Sequence, residues 1–391
     1  MERLKKPRLR VLGLDITSEC DCNCVHCGRS SRTGHLSLDA IREILDSGQR
    51  VGLTDVVIAG GEPFVHPEID DILEETYRRR LYVSILSNGT AITRAHAKHL
   101  SNLPNLSYVR LSVESHDPDR LDSIRRSPGS SDRFSHSIRA LRKAEVPIGI
   151  SMTVGPHNVS EIPGVIDFAI MHFARFIRVS PQLALDSERS RFRPAIDPAE
   201  VAHAFVTALA DRDRYLNTSF MLLPSTAAAF ARRFAHPCPA GQFMMSVQSD
   251  MQASFCPFTI PEFSIDLRET TLEEAWRSLV EYRAKETGDS SASESDVPSE
   301  QSHDETDRRC TECLIGRLRN GNGQTQASEQ ERMGLSPIAR ALFERLADAP
   351  REARRVLSGF LSRQFELNEL DINPCWRSSP LFIVPLRAVG P

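Results

Sequence analysis

Six short apolar runs separated by helical patterns constrain the fold of this chain more than any other feature. The runs cover residues 11–16, 56–59, 81–86, 108–113, 148–154 and 176–179. Several are continuous in polarity rather than alternating, as strands covered on both faces are. Amphipathic segments lie between them. The clearest is Ile162, Val165, Ile166, Ala169, Ile170 and Phe173, one stripe at about 3.6-residue spacing. Such alternation predicts an α/β chain with a parallel sheet and right-handed crossovers. A closed eight-stranded barrel needs two more units after residue 179. Residues 198–210 are instead Ala-rich and helical in pattern, and no β-branched run follows. The expected fold is therefore a partial (β/α)6 TIM-like barrel of parallel strands.

Around this core the texture divides the chain of 391 residues further. Residues 1–10 form an N-terminal extension, 11–195 the barrel and 196–235 a helical bridge. Residues 236–320 form a small C-terminal domain in which cysteines return, and 321–391 a helical tail. Within the small domain, Thr271-Leu272-Glu273-Glu274 reads as a capping box before a helix that carries Trp276. Residues 286–307 are Ser-, Asp- and Glu-rich, without an aromatic and with Val297 as the one large aliphatic. Too little apolar surface is available there to offset ordering entropy, so a disordered acidic insertion is expected.

Net charge is only -4, which removes any bulk electrostatic case for nucleic acid or an anionic membrane as partner. The longest uncharged runs, 216–231 and 234–249, are interrupted by proline and fall short of the about 20 apolar residues a bilayer requires. The basic start leads to Asp15 and Glu19 rather than to a signal core, so a cytoplasmic location is expected. In that reducing compartment nine cysteines favour metal or redox ligation over disulfides.

The cysteines cluster directly after the first strand, in Cys20-Asp21-Cys22-Asn23-Cys24-Val25-His26-Cys27. Cys20, Cys24 and Cys27 have the spacing C-x3-C-x2-C. Three thiolates on one short loop can hold three corners of a cubane iron–sulfur cluster and leave the fourth iron open. Zinc is the competing occupant, although its sites usually pair C-x2-C with a distant second pair. The second strand ends in Gly60-Gly61-Glu62-Pro63, where glycines let the backbone approach a ligand. Functional groups of parallel barrels gather on such loops, at the C-terminal ends of the strands.

These motifs together resemble the radical S-adenosylmethionine (SAM) superfamily. The resemblance covers roughly residues 11–320. It implies that SAM chelates the open iron of a 4Fe-4S cluster and is split reductively to a 5′-deoxyadenosyl radical. A flavodoxin- or ferredoxin-type protein is the implied electron donor. The segment Gly60, Gly61, Glu62 and Pro63 would bind the SAM amino group. Ser87 and Asn88 end the third strand. Ser112 and Glu114 match a Ser-x-Asp that binds the ribose, with Glu in place of Asp. Arg125 matches an arginine that pairs with the SAM carboxylate, although Arg126 stands next to it. Ser151 and Asn158 also fit, and His26 occupies a position where the family usually has an aromatic residue.

Cys238, Cys256, Cys310 and Cys313 run C-x17-C, then C-x2-C after a long gap. They resemble the twitch module, a shortened form of SPASM, and imply one auxiliary 4Fe-4S cluster, with zinc as the alternative. The module's usual glycine turn is replaced by Ser249-Asp250-Met251-Gln252. Cys22 falls outside the family's ligand pattern. Cys375 is an inert buried thiol, a hydrogen-atom donor or a further cluster ligand. Relatives with such a module act on ribosomal peptides, carbohydrates and aminocyclitols. Ten residues before the first strand are too few for the winged-helix domain with which many peptide-modifying members grip a leader. The expected substrate is thus a small natural-product intermediate, undergoing dehydrogenation or epimerisation. A ribosomal-peptide maturase and a non-enzymatic zinc scaffold are the alternatives.

Overall fold

The structure, a computed structural model, describes residues 8–27, 34–186, 191–196, 243–255 and 264–287. It also describes the strands at 219–222 and 382–384 and isolated positions at 200, 201, 204, 208 and 241. Cys238, Cys256, Cys310, Cys313 and Cys375, the acidic run 288–307 and nearly all of the C-terminal tail lie outside the described residues.

All six expected strands form, within one or two residues of the apolar runs. They are β1 (Val11–Thr17), β2 (Asp55–Gly60), β3 (Tyr82–Ser87), β4 (Leu106–Ser112), β5 (Ile148–Val154) and β6 (Phe176–Pro181). They lie side by side in sequence order, every neighbouring pair parallel. The crossovers carry α1 (Leu38–Arg50), α2 (Ile69–Arg78), α3 (Arg94–Ser101), α4 (Pro118–Arg125), α5 (Ser130–Lys143) and α6 (Ile162–Met171). Helix α1 starts where the Ser37 side chain accepts from the Ala40 amide, and it buries Ile41, Ile44 and Leu45. Each such side chain contributes roughly 1.5–3 kcal/mol when fully buried. On α6 the stripe holds for Ile162, Val165, Ile166 and Ala169. Phe173 departs from it. That residue follows the helix in left-handed backbone (φ 53) and is 73% exposed, with Arg142 stacked on its ring.

The sheet is wider than six strands. A short strand β9 (Ser219–Leu222) pairs parallel with β6, within the stretch expected to be a helical bridge. On the other side β10 (Met244–Val247) pairs parallel with β1. Two antiparallel strands, β11 (Gln252–Ser254) and β12 (Ile265–Asp266), continue that edge, and β13 (Phe382–Val384) pairs antiparallel with β9. A separate ribbon joins β7 (Leu183–Asp186) to β8 (Arg191–Pro194). The order β12-β11-β10-β1-β2-β3-β4-β5-β6-β9-β13 is linear, so among the described residues the sheet is an open partial barrel. These added strands have few residues and few β-branched ones, and form because the open edges of β1 and β6 offer a ladder.

The capping box forms as expected at the start of α7 (Leu272–Thr287). Thr271 Oγ1 accepts from the Glu274 amide at 3.2 Å, and the Glu274 carboxylate accepts from the Thr271 amide at 3.0 Å. The helix docks on α1: the Glu273 amide donates to Ser47 Oγ at 2.9 Å, and Trp276 is buried. Residues 244–255 and 264–287, expected in the cluster-binding domain, thus extend the barrel sheet and its helical cover. No helix among the described residues is long and apolar enough to cross a membrane.

Candidate active site

The C-terminal ends of β1 to β5 converge on one rim, and the cysteine loop that follows β1 is docked there from two sides. On one side the Asn23 and Val25 amides donate to the carbonyls of Arg125 and Ile124, both at 2.9 Å. Those carbonyls belong to the last turn of α4 and have no partner within the helix. The loop therefore caps the helix while the helix fixes the loop, and the Ser127 hydroxyl adds a bond to the Asp21 carbonyl at 3.1 Å. On the other side Asn88 Nδ2 donates to Asp21 Oδ1 at 2.8 Å and lies 3.5 Å from Cys20 Sγ. The Thr90 hydroxyl also bonds the Asp21 carboxylate.

Cys20 and Cys24 are half-buried and Cys27 is exposed, none of them in a disulfide, whereas Cys22 is buried. Among the described residues no three His, Cys, Asp or Glu side chains converge as ligands of a single ion do. A cubane does not require that convergence, because each of its thiolates takes a different iron.

The glycine segment after β2 ties the loop down from below. Gly60 has φ 125, and a Cβ there would stand 2.3 Å from the Thr17 carbonyl oxygen. Only glycine allows that approach. The Gly61 amide donates to the same carbonyl at 2.7 Å and the Glu62 amide to the Glu19 carbonyl at 2.8 Å. The Glu62 side chain turns inward and is fully buried. It accepts from Ser87 Oγ at 2.8 Å, the Asn88 amide at 2.7 Å and the Phe64 amide at 3.1 Å, just after Pro63 starts a 3-10 turn. Burial pushes its pKa up to about 7, against those three bonds, which favour the anion. Glu62 and Ser87 thus hold the loops of β2 and β3 together.

Beyond β4 the charges are buried. Arg125 is fully buried, while Arg126, at the left-handed C-cap of α4, is exposed; this selects Arg125 as the inward arginine. Its Nη2 donates to the Asn88 carbonyl at 2.9 Å and the Ser112 carbonyl at 2.7 Å, and its guanidinium lies 5.1 Å from the Phe134 ring centre. Glu114 is buried 3.9 Å from Arg125 Nε and 3.7 Å from His26 Nε2. Ser112 and Ser151 stand opposite each other on β4 and β5. Asn158 is fully buried and spent on structure: it accepts from the Gly155 amide and donates to the Glu114 and Thr153 carbonyls.

Two features escaped the sequence. His157 stacks parallel to His26, with ring centres 6.4 Å apart and planes within 5°. Burial, then the neighbouring His26, lowers its pKa. Nothing in the sequence relates the two histidines, since they meet only through the barrel. Second, several polar atoms of this cluster are buried without a hydrogen-bond partner: His26 Nδ1, Glu114 Oε2, Arg125 Nε and Nη1, and His157 Nε2. Buried polar groups are paired in more than about nine cases in ten. Unmet donors and acceptors side by side, next to the three thiols of the cysteine loop, fit a polar, zwitterionic ligand such as SAM held beside a cluster.

Residues 14–169 match the profile of the Radical SAM superfamily. The AdoMet-dependent heme synthase of Methanosarcina barkeri is 28% identical over 164 residues, 41% of this chain and 47% of that protein. The chain thus spans about half the length of that relative. The PqqA peptide cyclase of Xanthomonas oryzae pv. oryzae is 26% identical over 290 residues, 70% of this chain and 75% of that protein. Among solved structures, Streptococcus suis SuiB bound to S-adenosylmethionine has a TM-score of 0.61 at 17% identity, covering 80% of this chain and 72% of that one. The enzyme anSMEcpe, with bound AdoMet and a peptide, has a TM-score of 0.62 at 16% identity, covering 90% and 100%. Both carry the same fold. The stretch that matches the Radical SAM superfamily profile thus carries the cysteine loop, the glycine segment and the buried arginine on one rim of a partial barrel.

Proposed function

We propose that this chain cleaves S-adenosylmethionine reductively and removes a hydrogen atom from a C–H bond of a substrate held in the barrel. The observation that carries the reading is the group of unpartnered buried polar atoms on His26, Glu114, Arg125 and His157 beside Cys20, Cys24 and Cys27. Cys20, Cys24 and Cys27 would hold the 4Fe-4S cluster. When bound, cluster and SAM supply the electron, delivered by a flavodoxin- or ferredoxin-type donor, and the 5′-deoxyadenosyl radical. Asn88 and Thr90 keep the cysteine loop in place through Asp21. Arg125 and Glu114 present opposite charges to a zwitterion, and the parallel His26 and His157 rings offer flat surfaces to a base. The barrel wall excludes water from the reacting carbon.

Cys238, Cys256, Cys310 and Cys313 are proposed to hold an auxiliary 4Fe-4S cluster, which would accept the second electron of a dehydrogenation. The substrate is a small natural-product intermediate or, equally supported, a ribosomally made peptide. The similarity to PqqA peptide cyclase over 70% of this chain supports the second. Metal analysis tests the cluster assignment. Protein reconstituted without oxygen should hold about eight irons per chain, and a Cys310→Ala, Cys313→Ala variant about four. Zinc in place of half the iron would remove the auxiliary cluster, and zinc in place of all of it would remove the enzyme.

A further inference from the structure

The lumen of the barrel holds two arginines that no described carboxylate neutralises. Arg110 lies on β4 and Arg178 on β6, with β5 between them. Arg110 stands opposite Gly149, while Ser151 stands opposite both Ser112 and Arg178. Side chains alternate along a strand, so both arginines share the face of Ser112 and Ser151. The alternate residues Val109, Leu111, Ile150 and Val179 are fully buried on the other face, under the helices. One step toward the N-terminal ends, the rings of Tyr108 and Phe176 meet edge to face at 4.9 Å and close the lumen beneath the arginines. Gly149 makes room for them, since a Cβ there would lie 2.2 Å from the Phe176 ring.

The Nε atoms of Arg110 and Arg178 are buried with no hydrogen-bond partner. Burial lowers both pKa values. For Arg178 the charge of Arg110 adds to burial and brings it to about 9, and only Tyr108 opposes. Two half-buried guanidinium groups on one face of the sheet, each with its Nε shut off from solvent, are costly unless an anion joins them. The planar fork of arginine matches carboxylate and phosphate oxygens.

We propose that Arg110 and Arg178 form a clamp for an oxyanion of the substrate, a carboxylate or a phosphate, deeper in the lumen than the rim of Arg125 and Glu114. The inference rests on the reading of the lumen as the substrate chamber, but it is tested without turnover, so the two fail separately. Inorganic phosphate and, separately, glutarate are titrated calorimetrically into the full-length, anaerobically reconstituted protein saturated with SAM. The wild type should bind at least one of them, and Arg110→Met or Arg178→Met should weaken that binding at least about tenfold, a loss of about 1.4 kcal/mol. In anion-free buffer each Met variant should also unfold at a higher temperature than wild type, because an unpaired buried charge has been removed. Binding of neither probe, or equal binding by all three proteins, overturns the clamp. A lower unfolding temperature for both variants also overturns it, because the arginines would then be paired within the protein. So does a tenfold loss of SAM affinity in either variant, which would assign the pair to the methionyl carboxylate.

Discussion

Replacing Cys20, Cys24 and Cys27 together by Ala is expected to abolish 5′-deoxyadenosine formation from SAM and dithionite while leaving a folded protein. The three sulfurs lie on a half-buried to exposed loop, so their removal opens no core cavity. The docking bonds of the loop run through the backbone of Asn23 and Val25 and the side chain of Asp21, which the substitutions leave in place. Anaerobic preparations of the variant should keep any iron bound by the distant cysteines and lose the rest. Cys22→Ala is the matched control, because it changes a thiol in the same loop outside the C-x3-C-x2-C pattern; it should still make 5′-deoxyadenosine. Product from the triple variant, or its loss in Cys22→Ala alone, would reassign the ligands.

The second large effect concerns stability. Arg125→Met should destabilise the cluster-free protein by about 3–5 kcal/mol, the cost of removing one partner of a buried charged group. Its guanidinium bonds the carbonyls of Asn88 and Ser112, and Glu114 would be left buried without its cation. The neighbouring Arg126→Met should cost no more than about 0.5 kcal/mol, as exposed positions do. Urea unfolding under reducing, anaerobic conditions compares them. Equal midpoints for the two variants would mean that Arg125 does not organise the rim.

The parallel core was legible in the sequence because β1 to β6 are short, mostly apolar runs at regular intervals, and α6 because four of its stripe residues face the sheet. The rim was legible because it follows chain order, with one motif at the end of each successive strand. β9 and β10 were not, since four residues such as Met244-Met245-Ser246-Val247 carry no periodicity of their own and take their form from the neighbouring strand. The role of Glu62 was also hidden: the motif marks it as a ligand-side residue, yet its carboxylate binds two loops together. Arg110 did leave a signal, a lone charge inside an apolar run, and its meaning emerged only when the register set it beside Arg178. The His26–His157 pair left none.

The central claim is that SAM binds at a cluster held by the loop after β1, and electron paramagnetic resonance of the dithionite-reduced protein tests it most directly. To isolate that cluster, spectra are recorded on the Cys310→Ala, Cys313→Ala variant with and without excess SAM. A reduced 4Fe-4S signal whose g-values shift when SAM is added, and which is absent when Cys20, Cys24 and Cys27 are also replaced, is the result predicted. A signal that ignores SAM, or one that survives loss of the three cysteines, would contradict it.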